Sequence, residues 1–264
     1  MNYLTHYALN TTLRPRPVAP EFHAGVALPD WLSAADRRCR LNAEKVRERV
    51  RRGDDPLAHG VFVHEAQDRI FHTGEFFSAA TDGIKAALRA RKFPGARVRG
   101  WFVAHIAFEL LLDHWLLQED PELAERFLAA IARPPSGRLE EQVEAVATRP
   151  PRGLAGLVVR FRERGWVRGY RELDGVCEAL IRVLQRARQD SLGGPHRAEL
   201  TAALEEGRER MAALDVRASL ARIAEASAEL EQRWLAGGEA LAEVATDLLT
   251  LARHRTHYAK LRLF

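Results

Sequence analysis

Cysteine is nearly absent from this 264-residue chain, which has only Cys39 and Cys177. Neither has a second Cys or a His at metal-ligand spacing, which excludes a disulfide framework and a thiolate zinc site and leaves both as packing residues. Long apolar runs are missing as well. No stretch approaches the roughly 18–20 uninterrupted apolar residues of a membrane span. Met1 to Asn10 lacks the basic head and apolar body of a signal peptide, so a cytoplasmic protein is expected. Period-two alternation, the mark of a half-buried strand, is sparse. Excess negative charge is also lacking: the net charge is +4 and the isoelectric point about 9.4, a weak preference for an acidic or phosphate-bearing partner.

What the chain does have is the makings of helices. Hydrophobic residues make up 47% and charged residues 29%, a globular composition rich in Ala, Leu, Glu and Arg, which lose little on entering a helix. Apolar positions recur at helical spacing over Val61–Ala80, Val98–Leu117, Pro121–Ala132, Gly169–Gln189, Ala198–Met211 and Val216–Ala236, and a last helix is expected over Glu239–Leu251. Breakers separate them at Gly53-Asp54-Asp55-Pro56, Pro94-Gly95, Pro134-Pro135, Pro150-Pro151 and Gly193-Gly194-Pro195. Thr11 to Pro20 reads as an irregular loop. The expectation is an all-α, single-domain helical bundle over residues 1–264, with 236–264 as an additional C-terminal helix.

Two of these helices carry groups suited to chemistry. His64, Asp68 and His72 fall at i, i+4 and i+8, on one face of a helix whose neighbours Val61, Phe62, Val63, Ile70 and Phe71 are apolar. His105, Glu109 and Asp113 repeat the spacing, followed at once by His114, inside the apolar run Trp101–Leu117. Ionisable groups in such surroundings need partners, either a hydrogen-bonded network or a shared cation. Asp113 and His114 diverge by about 100° on a helix, so at most one of them joins Glu109 at a given ion. His6 and Asp30 are further candidates. Mixed imidazole and carboxylate ligands suit manganese, iron or zinc better than calcium or magnesium.

The order of these residues resembles the acyl carrier protein phosphodiesterases, distant relatives of the HD-domain phosphohydrolases. The opening MNYLTHYALN matches that family's MNFLAHLHLA, with His6 on the histidine, and Gly25–Trp31 matches GNLLADF with Asp30 on the aspartate. His64 through His72 correspond to H-R-x-I-D-x-x-T-D, Glu109 through His114 to D-x-x-x-D-H, and Trp166–Asp174 to W-L-V-R-Y-R-D-M-D. Val26 replaces the family's Asn and Glu65 its Arg. These two changes remove an amide and a cation that could hold substrate, whereas His72 and Glu109, in place of aspartates, keep the capacity to bind metal.

The resemblance implies an HD-like helical fold and a hydrolase that uses manganese, or iron or zinc, to cleave the phosphodiester between the phosphopantetheine arm and acyl carrier protein. It implies metal ligands His6, Asp30, His64, Asp68, Glu109, Asp113 and His114, and proton transfer by His72 or His105. Docking of the acidic carrier would fall to basic clusters: Arg37, Arg38 and Arg40; Arg47, Arg49, Arg51 and Arg52; and Arg160 to Arg171, with Arg168 and Arg171 in the matching stretch. The alternatives are an HD-like phosphohydrolase acting on a nucleotide or other small phosphoester, and a non-catalytic helical module that binds an acidic partner. The basic clusters lack interleaved aromatics, so a nucleic-acid partner is not expected.

Overall fold

The computed structural model describes residues 1–13, 18–36, 38–132, 136–186 and 192–236. Their regular structure is helical, as expected. The helices are α1 (Tyr3–Thr11), α2 (Pro20–Ala35), α3 (Ala43–Arg52), α4 (Pro56–Thr73), α5 (Glu75–Arg89), α6 (Gly100–Glu119), α7 (Leu123–Ala132), α8 (Ser136–Val146), α9 (Leu154–Arg164), α10 (Leu173–Arg186), α11 (Arg197–Ala212) and α12 (Val216–Leu235). Short 3-10 turns cover Trp166–Arg171 and Gly194–His196. Among the described residues there is no strand beyond an isolated bridge, Leu41 to Ala147. No helix of the described residues is long and apolar enough to cross a membrane. The expected helix over Glu239–Leu251 and the residues after it lie outside the described residues, as do Pro134, Pro135 and Arg37.

Where helices begin and end follows local chemistry. Asp55 caps α4, its carboxylate accepting from the Ala58 N–H at 2.9 Å, and Pro56 opens the first turn without a donor to satisfy. Asn42 caps α3 through the N–H groups of Glu44 and Lys45, and Gly53 ends it in the left-handed conformation. The single helix expected over Val61–Ala80 is two, because the chain breaks at Gly74 between α4 and α5. Likewise the stretch expected to be helical from Gly169 begins as a 3-10 turn, and α10 starts at Leu173.

The chain gathers into two compact units. The first comprises Met1–Pro15, Phe71–Ala130 and Phe161–Ala221. At its centre is α6, flanked by α1, α5, α10 and α11. Phe108, Leu111 and Leu112 of α6 are fully buried, as are Phe71, Ile84 and Leu204, and the Phe71 and Phe108 rings stack 5.4 Å apart. Tyr3, Phe127, Phe161 and Trp166 form a second ring cluster.

The second unit comprises Arg16–Ile70, Ile131–Arg160 and Arg222–Phe264. Here α2 and α4 cross with their backbones nearly touching, through Gly25 and Gly60. A carboxylate ties its loops together: Arg149 donates to both Asp36 oxygens at 2.6 Å, and the Arg38 and Arg152 N–H groups donate as well. Burial would raise the Asp36 pKa, but these donors outweigh it and hold the carboxyl below its ordinary value. The sign follows directly. A depressed folded pKa gives stability that is present above the unfolded value and lost as pH falls through the folded one. Asp36→Asn should therefore remove part of the acid sensitivity of unfolding below about pH 4, read as the difference in denaturation midpoint between the two proteins.

Candidate metal centre

In the first unit, the end of α4 and the middle of α6 bring three polar atoms together. His72 Nε2 lies 3.2 Å from His105 Nε2 and 3.1 Å from Glu109 Oε1, and His105 Nε2 lies 2.9 Å from the same oxygen. His105 and Glu109 meet because i and i+4 stack on one helical face; His72 is brought to them by the packing of Phe71 on Phe108. Phe77 closes one side, its ring edge-on to His72 at 4.9 Å and to His105 at 5.0 Å. The three side chains keep between 14% and 18% of their surface, so the cluster is mostly enclosed yet still reachable from solvent.

The size of this triangle matters. Ligand atoms about 2.1 Å from one ion stand about 3.0 Å apart at right angles and about 3.4 Å apart in a tetrahedron. All three edges fall close to that interval, so two imidazole nitrogens and one carboxylate oxygen form a face that one transition-metal ion can cap. The charge state also suits a cation. Burial alone would push the Glu109 carboxyl up, but the Met1 ammonium, 3.0 Å from Oε1, and the His105 and His72 imidazoles hold it well below the usual carboxylate range. Glu109 is therefore an anion facing two ring nitrogens. His72 and His105, expected as proton-transfer groups, stand here as candidate ligands beside Glu109.

The other expected residues of this unit have different partners. Asp113 is fully buried and accepts from the N–H groups of Leu4 and Thr5, at 3.2 and 2.8 Å, and from the Thr5 hydroxyl at 2.7 Å. It caps α1 from a distance of more than a hundred residues along the chain. Burial raises its pKa to about 7 against these hydrogen bonds. His114 Nδ1–H donates to the Tyr170 carbonyl at 2.8 Å, and burial together with the neighbouring Asp113 pushes the Tyr170 hydroxyl up to about 12. His6 is buried within α1.

In the second unit, His64 Nδ1–H donates to the Val26 carbonyl at 2.8 Å, across the glycine-lined crossing of α2 and α4. The other ring nitrogen, Nε2, lies 3.6 Å from Asp68 Oδ2. Asp30 offers an oxygen within 4.8 Å of a His64 nitrogen. Backbone anchoring of one imidazole nitrogen is how ligating histidines are oriented.

The basic clusters are largely occupied internally. Arg168 forms a two-pronged ion pair with Glu125, and Arg171 donates to the Pro121 carbonyl at 2.6 Å. Arg168, one of the two residues expected at a partner surface, is thus ion-paired within the protein, whereas the Arg171 hydrogen bond goes to a backbone carbonyl. Arg49 pairs with Asp55, Arg52 with Glu48, and Arg51 lies over the Trp234 ring. Both cysteines are buried and unbridged.

No model of a protein family, no curated protein and no solved structure matches the chain.

Proposed function

We propose that the chain is a metal-dependent phosphodiester hydrolase whose ion is held by His72, His105 and Glu109. The observation that carries this reading is the closed triangle of two Nε2 atoms and one anionic oxygen. A divalent ion there supplies Lewis acidity toward phosphoryl oxygens and lowers the pKa of a bound water. The protein's part is to keep Glu109 ionised, to present both imidazoles through Nε2, and to shield the face with Phe77. Manganese is the metal implied by the resemblance to acyl carrier protein phosphodiesterases, which also supports the phosphopantetheine linkage of that carrier as substrate; iron and zinc suit the same ligands.

The test is elemental analysis after purification without chelator and incubation with manganese, iron or zinc. Wild type should hold one equivalent, and a His72→Ala, His105→Ala variant should bind at least a hundredfold more weakly, since it loses two of three ligands. Hydrolysis of bis(p-nitrophenyl) phosphate should follow the metal, and release of phosphopantetheine from holo acyl carrier protein should be assayed beside it. Wild type free of metal under all three conditions would overturn the reading and leave a hydrogen-bonded network inside a binding module. Two histidines and one carboxylate on a face are also the ligand set of iron-dependent oxygenases, which gives a second reading. Selective retention of iron with oxygen consumption and no hydrolysis would favour it.

A further inference from the structure

A groove of about 550 Å³ opens in the first unit between α5 and the start of α6, lined by Lys85, Arg89, Arg91, Phe93 and Trp101. Its charge is one-sided. From Gly83 to Phe108 the sequence holds six Lys or Arg residues and no Asp or Glu. Lys85 is paired with Asp82, and Arg91 is fixed by Glu206 and the Ala202 carbonyl. Among the described residues, Arg89, Lys92, Arg97 and Arg99 are exposed and in no ion pair. The first turn of α6 adds a positive helix end, because its N-cap Arg99 provides no side-chain acceptor.

The groove also contains aromatic surface. Trp101 is 44% exposed, unusual for the largest apolar side chain, and the half-buried Phe93 lines the same groove. Arg89, the exposed and unpaired cation among the groove's lining residues, together with an accessible indole on the same groove matches a ligand that carries both phosphate and a planar ring: the cation takes the charge and the indole stacks on the ring. A concavity of this volume lies within the roughly 300–1,000 Å³ range of small-molecule sites, and it carries aromatic surface that charge recognition of an acidic protein would not need.

We propose that this groove is a nucleotide-binding site, with the base on Trp101 and the phosphates on Arg89 and its neighbours. Trp101, His105 and Glu109 fall at i, i+4 and i+8 on one face of α6, so the groove starts one turn, about 6 Å along the axis, from His105. This placement makes a phosphoester bearing a nucleotide the substrate class for the triangle described above. The binding claim itself goes beyond the hydrolase reading and stands without the metal.

The experiment is calorimetric titration of the whole chain, in EDTA, with ADP, with inorganic diphosphate and with adenosine. ADP should bind to wild type more tightly than either fragment. Trp101→Ala should weaken ADP about tenfold while leaving diphosphate unchanged, and Arg89→Gln should weaken both; the two side chains are exposed, so the fold should persist, as checked by circular dichroism. No ADP binding at millimolar concentration, or binding indifferent to both substitutions, would overturn the site. So would tighter binding of oligothymidylate or of holo acyl carrier protein than of ADP, each lost in the same variants, because the groove would then belong to a macromolecule. Because EDTA removes any ion, failure here is distinct from failure of the metal analysis.

Discussion

Gly60→Ala should destabilise the protein by about 4 kcal/mol or more, the range reserved for disruption of a packed core. A Cβ on Gly60 would stand 2.1 Å from the Phe22 carbonyl oxygen and 2.7 Å from the Val26 nitrogen, and one on Gly25 would stand 2.1 Å from the Leu57 oxygen. All of these are backbone atoms, which cannot rotate away as a side chain can. The only relief is for α2 and α4 to separate, and that breaks the 2.8 Å bond from His64 to the Val26 carbonyl as well as the surrounding packing. The control is Gly83→Ala in α5, where the new methyl meets only the flexible Arg210 side chain at 3.4 Å. That change should be neutral or add up to about 1 kcal/mol, since alanine favours a helix interior over glycine. Urea denaturation of both variants gives the comparison. A Gly60→Ala midpoint within about 1 kcal/mol of wild type would mean that the helices do not cross as closely as described.

Asp113→Ala should be nearly as severe, with a loss that depends on pH in an unusual direction. It strands the Leu4 and Thr5 N–H groups and the Thr5 hydroxyl, three buried donors at about 1–3 kcal/mol each, for a total of about 3–5 kcal/mol after partial relaxation. The folded pKa, about 7, lies above the unfolded value near 3.9, so the folded state binds the extra proton between the two. Asp113 then contributes full stability below about pH 4, and its contribution declines as pH rises toward 7, by at most about 4 kcal/mol. The gap between wild type and variant should therefore be widest at and below about pH 4 and narrow by pH 8. Measuring the difference cancels the other carboxylates. A gap that widened with pH would show Asp113 ionised in the folded protein.

How much of this could be read from the sequence depends on whether the signal was local. The spacing of His105 and Glu109 was legible because i and i+4 always share a face, whereas Gly53-Asp54-Asp55-Pro56 read only as a breaker and α4 begins at Pro56, ahead of the expected Val61. The meeting of His72 with that pair was not legible, since it depends on Phe71 packing on a residue of another helix. α1 went unseen for a related reason: Asn2 makes no side-chain cap and the first turn carries no acid, because the capping group is Asp113. α2 was not expected either, and it carries Pro29 within it. The close crossing at Gly25 and Gly60 left no trace in hydrophobic periodicity, which records side chains and is blind to backbones in contact. Asp113 and His114 drew attention as a pair; in the structure they hold α1 and the turn at Tyr170.

The remote cap on α1 also bears on how the protein is made. Nine residues are too few for a stable helix alone in water, where about 12–15 are marginal, and α1 has no local cap to assist it. On the ribosome its residues emerge on the order of ten seconds before Asp113 is even synthesised, at about 5–20 residues per second. Through that interval Leu4, Tyr7 and Leu9, all buried in the finished protein, wait as exposed apolar groups on an unstructured strand. α1 is therefore completed only after Asp113 has been made.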